Sequence, residues 1–194
     1  NVFPVPDGDT GTNMSLTLMT ACKEVREKPK DTVAQVASAM AMGSLKGARG
    51  NSGVILSQIF RGFATGLAFS EEMDSVALAD ALENGVEAAY RAVMKPKEGT
   101  ILTVARTLAE KARELSDQGM GVYDTLERII AEGEKTLAKT PDMLPVLKEA
   151  GVVDSGGMGL LIIMKGFKMS LDGEEIDNED VLNMGSVDTV VQAS

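Results

Sequence analysis

The chain of 194 residues contains no histidine. Imidazole is therefore excluded here as general acid or base, metal ligand or phosphoryl carrier. Tryptophan is also absent and aromatics make up only 4%. The interior must be built from Ala, Leu, Val and Met, which suits closely packed helices. One cysteine, Cys22, excludes an internal disulfide and fits a reducing, cytoplasmic setting. It lies among apolar helical positions, so a small buried hydrophobe is its expected role. No apolar run is long enough to span a bilayer, and no secretory signal is visible. Basic residues number 19 against 29 acidic ones, a net charge of −10. Non-specific nucleic-acid binding is not expected of such a surface. Convincing strands are missing too: Val152-Val153 is too short, and Val190-Val191 lies near the end.

What is present reads as helices divided by Gly- or Pro-containing loops. The spacing predicts a helix over 13–27, stopped by Pro29, and a second capped by Asp31. A loop over Gly47–Gly53 precedes a third, carrying Val54, Ile55, Ile59 and Phe63 and ending near Gly66. Asp74 caps a fourth, running to about Met94, and Thr100 starts a fifth. Residues 122–139 give a sixth, Pro141 divides it from a short seventh ending near Ala150, and an eighth ends near Leu171. Met14, Met19, Met40 and Met42 read as core filler. The expected fold is all-α, an antiparallel helical barrel or bundle of about eight helices over residues 1–172. Residues 173–194 read as an acidic tail or linker toward a further domain: from Glu174 onward there are six acidic residues and no Lys or Arg. The strongest motif begins at Asn1 without an initiator Met, so further natural sequence, a helix, is expected upstream.

Four expected helix starts carry Gly with Ser, Thr, Asn or Asp: Asp7–Asn13, Gly50–Gly53, Gly99–Thr103 and Asp154–Gly157. Helix N-termini present unpaired N–H groups and a positive dipole end, and glycine lets a phosphate approach the backbone. In an up-down bundle alternate helix starts share one end, so four such loops could build one nucleotide pocket. Each loop alone is equally a good helix cap. Asp7-Gly8-Asp9 fits a metal site beside that pocket, or a solvated surface turn. It is no EF-hand: with Asp7 first, position 12 is Leu18 and position 6 is Thr12, where Glu and Gly are needed. Mg²⁺ completed by phosphate oxygens and water needs fewer carboxylates. No standard phosphate-loop motif occurs. Arg49 serves either to neutralise a phosphate or to cover a helix end. Lys95 and Lys97, flanking Pro96, read as solvated.

The stretch Asn1–Met14 resembles the opening signature of the N-terminal domain of bacterial fatty acid kinase. Gly47–Gly62, Met94–Ala105 and Gly151–Gly157 resemble its later signatures, in the same order. A more distant similarity is to the nucleotide-binding L subunit of dihydroxyacetone kinases. The resemblance implies a barrel of antiparallel helices with ATP or ADP and two Mg²⁺ held by loops at one end. It implies Asp7 and Asp9 as metal ligands and catalytic residues, with Asn1 near the place of a third aspartate. Thr10, Thr12, Asn13, Arg49, Asn51, Ser52, Gly53, Gly99, Thr100, Asp154, Ser155, Gly156 and Gly157 would then form the nucleotide site. Thr10 stands where the L subunit has a histidine, a departure that favours the fatty acid kinase branch. The implied reaction is phosphorylation of a fatty acid carboxylate, with the acyl chain presented by a separate fatty-acid-binding protein. Downstream domains of the same protein would complete the activity. Two alternatives stand beside it: an L subunit of a dihydroxyacetone kinase, and a non-enzymatic lipid-binding or regulatory helical module.

Overall fold

The computed structural model describes residues 9–27 and 29–174. Eight helices and no strand occur among them: α1 (Thr10–Arg26), α2 (Val33–Gly47), α3 (Gly50–Gly66), α4 (Ser75–Ala92), α5 (Ile101–Asp117), α6 (Val122–Met143), α7 (Pro145–Ala150) and α8 (Ser155–Leu171). The acidic tail expected beyond Leu171 falls almost wholly outside these residues, as do Asn1 and Asp7.

Helices adjacent in sequence pack side by side from α1 to α6. The last helix, α8, packs on α5 and α6 and returns to α1, which closes a ring. Short connections between packed neighbours force antiparallel directions; only Ala48 and Arg49 separate α2 from α3. The starts of α1, α3 and α5 therefore share one end. After α6 the short α7 packs back on it, and Gly151 ends α7 in the left-handed region at φ 66°. That turn begins α8 at the same end.

The core follows the 3.6-residue period. Ile101, Val104, Ala105, Leu108, Ala112 and Leu115 of α5 are all buried, against Leu56, Ile59 and Phe60 of α3, Leu78 and Leu82 of α4, Ile129 of α6 and Leu161 of α8. Helices with so many small residues approach closely. A Cβ added to Gly62 of α3 would fall on the Asn84 carbonyl of α4 and lie 2.7 Å from the Cα of Gly85. The α3–α4 contact is thus backbone against backbone. On its outer side α5 is tied to α4 by Arg113, which donates to Asp80 and to both oxygens of Glu83.

Several boundaries and burials differ from the sequence reading. Asp9, not Gly11-Thr12, precedes the first helical residue, and α1 begins at Thr10. The cap of α2 is Thr32 rather than Asp31; its hydroxyl accepts from Gln35 N at 3.2 Å. Gly50–Gly53, expected as loop, forms the first turn of α3. Pro141 does not divide two helices. It sits in the last turns of α6, and the Thr140 hydroxyl donates at 2.7 Å to the Leu137 carbonyl that proline cannot serve. The break comes at Leu144, and Pro145 starts α7 at the position where proline is tolerated. Cys22 is exposed on the outer face of α1, not buried. Met14 is core, whereas Met42 is 51% exposed.

Candidate nucleotide and metal site

At the shared end the starts of α1, α3, α5 and α8 surround one cavity of about 550 Å³, within the range of small-molecule sites. Asp9, Thr10 and Asn13 enter it from α1; Gly50, Asn51 and Ser52 from α3; Thr100 from α5; Asp154, Ser155 and Gly156 from α8. The structure thus brings together most of the residues expected of a nucleotide site. It leaves five outside the lining: Thr12, Arg49, Gly53, Gly99 and Gly157.

Packing accounts for the three glycines, and at Arg49 it fixes the backbone N–H. The Thr17 hydroxyl, fully buried, donates to the Asn13 carbonyl at 2.7 Å and accepts from Arg49 N at 3.2 Å. It binds the start of α3 to the second turn of α1. A Cβ at Gly53 would fall on that hydroxyl. Gly99 is pressed against the Thr140 carbonyl, where an added Cβ would lie 2.9 Å away. Gly157 donates to Asp154 and packs on Val104. Thr12 is exposed one residue along from the cavity-lining Asn13.

The four helix starts are of two kinds. Those of α5 and α8 are capped by their own side chains. Thr100 accepts from Leu102 N at 3.4 Å, and Asp154 accepts from Gly157 N at 2.7 Å. Those of α1 and α3 carry no side-chain cap. Their first N–H groups have no acceptor within the helix and face the cavity end. Asp9, the residue before α1, is exposed and does not fold back onto the helix, although Asp is among the best capping residues.

Asp154 does the opposite. It is buried, and the N–H groups of Gly157, Ile101 and Gly156 all point at its carboxylate. One side chain thereby joins the starts of α5 and α8. Its own N–H donates to the Thr140 hydroxyl at 3.1 Å, adding the end of α6. Burial raises its pKa above the ordinary value, and the three N–H groups pull it partly back. A carboxyl raised in the folded state contributes stability that is full below its unfolded pKa. That contribution is lost as pH rises through the folded value. Asp154→Asn should therefore remove a downward slope of stability with rising pH just above the ordinary carboxylate range, at a smaller cost than Asp154→Ala because its one oxygen still accepts. Asp154→Ala leaves buried donors unpaired and should cost about 2 kcal/mol. Urea midpoints across that pH range check both; equal losses in the two variants would refute the shared cap.

The rest of the lining carries no site signal in the sequence. Val54 and Ile55 of α3, with Val93 and Met94 after α4, make an apolar lip, and Met94 is 98% exposed. Lys95 and Lys97, solvated by their sequence pattern, reach the same cavity. Apolar residues beside a helix read as core in a sequence; only the ring shows that these face an opening. The site therefore has an apolar side and a side of hydroxyls, amides and backbone N–H groups.

Among the described residues no group of three or more acidic or Cys side chains is placed to hold a metal ion. The donors that line the cavity are hard: the Asp9 carboxylate with Asn and Ser oxygens. Such donors suit Mg²⁺ that keeps water and phosphate oxygens as its other ligands. Asp154 is committed to backbone donors, which leaves Asp9 as the carboxylate suited to a cation among the described lining residues.

A family model described as the DAK2 domain matches residues 4–169. The chain is 50% identical over 193 residues to protein YloV of Bacillus subtilis (strain 168), covering 100% of this chain and 34% of that protein. It is 49% identical over 177 residues to uncharacterized proteins of Staphylococcus aureus strains USA300 and NCTC 8325 / PS 47, covering 91% of this chain and 32% of theirs. The chain thus spans about a third of the length of the curated relatives it matches.

Proposed function

The chain belongs to the DAK2 domain family, which is associated with kinase function, and from that premise we propose that it is the Mg–ATP-binding domain of a fatty acid kinase. The carrying observation is the division of the four helix starts. Two cap themselves, while α1 and α3 leave their first N–H groups uncapped around a cavity that Asp9 also lines. A phosphate chain would supply acceptors to donors that their own N-cap side chains leave uncapped.

In this reading the terminal phosphates of ATP lie against the first turns of α1 and α3. Asn13, Asn51 and Ser52 donate to their oxygens. The base lies on the lip formed by Val54, Ile55, Val93 and Met94, where an apolar surface suits a flat ring. Asp9, with Asp7 and Asn1 from outside the described residues, would ligate two Mg²⁺ ions. Mg²⁺ held by these residues would supply charge neutralisation to the phosphates during transfer. With its net charge of −10, the chain requires such a cation to accept a polyanion.

The acceptor is the carboxylate of a fatty acid held by a separate binding protein, and the product is an acyl phosphate. A carboxylate is already ionised, so no general base is required, in keeping with a chain that lacks histidine. Positioning and charge neutralisation carry the catalysis. The remaining two thirds of the relatives' length supports a place for further domains in the complete reaction. Thr10 in place of a histidine speaks against a dihydroxyacetone kinase L subunit. Against a lipid-binding module, the apolar cavity between Phe60, Phe63, Leu108 and Met164 of the described residues is only about 30 Å³. That is room for water-sized molecules, far short of an acyl chain.

Calorimetry with ADP tests the reading. Binding is expected with Mg²⁺ and should disappear when excess chelator removes it. Absence of binding, or binding indifferent to chelator, refutes it. A transfer assay offering a fatty-acid-loaded carrier against dihydroxyacetone on its own partner subunit distinguishes the two kinase branches.

A further inference from the structure

The segment between α4 and α5, residues 93–100, forms one wall of the cavity with Val93, Met94, Lys95, Lys97 and Thr100. It has no regular secondary structure and is largely exposed. Such a segment moves unless something outside its own backbone fixes it. Glu98, in its middle, points away from the cavity: neither Glu98 nor Arg106 is part of the lining. Both oxygens of Glu98 accept from Arg106, Oε1 from Nη1 at 2.8 Å and Oε2 from Nη2 at 2.7 Å. The Thr103 hydroxyl donates to Oε2 at 2.8 Å and accepts from Gly99 N at 2.9 Å. Arg106 also donates to the Tyr90 hydroxyl at 3.1 Å and lies over its ring. Arg106 is on α5 and Tyr90 on the last turns of α4. The bond to Arg106 holds the Glu98 carboxyl below its ordinary pKa.

We propose that Glu98 and Arg106 are positioning residues that clamp the 93–100 wall in a ligand-ready form, fixing the backbone that carries Lys95 and Lys97 to the cavity. A lone exposed ion pair would do little. This one is bidentate and shares its partners with Thr103 and Tyr90, so its members are coupled. It reaches both helices that flank the wall. The groups act on a ligand only through the wall, since neither lines the site. The consequence for nucleotide rests on the function proposed above; the clamp itself does not.

Hydrogen exchange and Mg–ADP calorimetry on the whole chain separate the two. In Arg106→Met and in Glu98→Gln the buried Gly99 amide, bonded to the Thr103 hydroxyl, should exchange about tenfold faster, with the melting temperature nearly unchanged. The double variant should exchange no faster than either single one. Arg106→Lys, which keeps the charge but not the fork, should fall between wild type and Arg106→Met. Mg–ADP affinity should drop about tenfold in Arg106→Met. Unchanged exchange, or effects that simply add in the double variant, overturns the clamp. Faster exchange with undiminished Mg–ADP affinity overturns its service to the site. If the wild type itself binds no Mg–ADP, the nucleotide reading falls, and exchange alone still decides the clamp.

Discussion

Asp9→Ala should lower Mg–ADP affinity by about 100-fold or more while leaving the melting temperature almost unchanged. The two halves of that result come from one observation: Asp9 lines the cavity yet caps nothing. An exposed carboxylate with no cap bond contributes little to folding, within about 0.5 kcal/mol. A carboxylate that ligates the cation between protein and phosphates contributes to every step that needs the cation. Asp9→Asn separates the rival roles. Asparagine caps helices as well as aspartate does, so a capping or merely polar role survives it. It lacks the charge that Mg²⁺ demands, so a ligand role does not. Calorimetry at saturating Mg²⁺ reads the difference. Wild-type affinity in Asp9→Asn would remove Asp9 from the metal site.

Gly62→Ala should be the most damaging single methyl in the chain, with a loss of about 3 kcal/mol or more, or a fall in melting temperature of roughly 6–12 °C. The added carbon falls on the backbone carbonyl of Asn84. A side chain could rotate aside; a carbonyl inside α4 can only move with its helix. Moving α4 off α3 opens a contact on which Leu56, Ile59, Leu78 and Leu82 depend. Gly166→Ala on α8 is the control, because nothing lies within 4 Å of its added carbon. It should stabilise the chain by a few tenths of a kcal/mol through helix propensity. Thermal melts of the two variants check the pair. Equal melting temperatures would mean that α3 and α4 are not packed backbone to backbone.

Helix existence was legible because apolar residues recur at helical spacing and Pro and Gly punctuate the runs. Helix starts were less so. Gly50 and Gly53 read as loop because glycine is a poor helix former. Glycine is required there by the left-handed φ of 56° at Gly50 and by Asn13 and Thr17, which leave no room for side chains. Cys22 and Met42 read as buried from their apolar neighbours, but a ring of helices has an outer face as well as an inner one. Convergence of the α8 start depends on the short α7 and its Gly151 turn, whereas that of the starts of α1, α3 and α5 followed from up-down alternation. Which of those starts cap themselves did not, since capping depends on side-chain orientation and Asp9 and Asp154 are the same residue type. The apolar lip and the lysines of the 93–100 wall were invisible for a related reason: their role depends on what stands opposite.

Ring closure by α8 against α1 also sets an order in time. Asp9 and Asp154, 145 positions apart in the sequence, line one cavity. As the polypeptide emerges from the ribosome, α1 to α6 can pair with their neighbours one after another. The site cannot, because its fourth side arrives with the last helix. Until residues 155–171 are made, α1 keeps an open flank. Ligand that recognises only the finished ring then acts as a latch, favouring the joined state over the parted one by mass action.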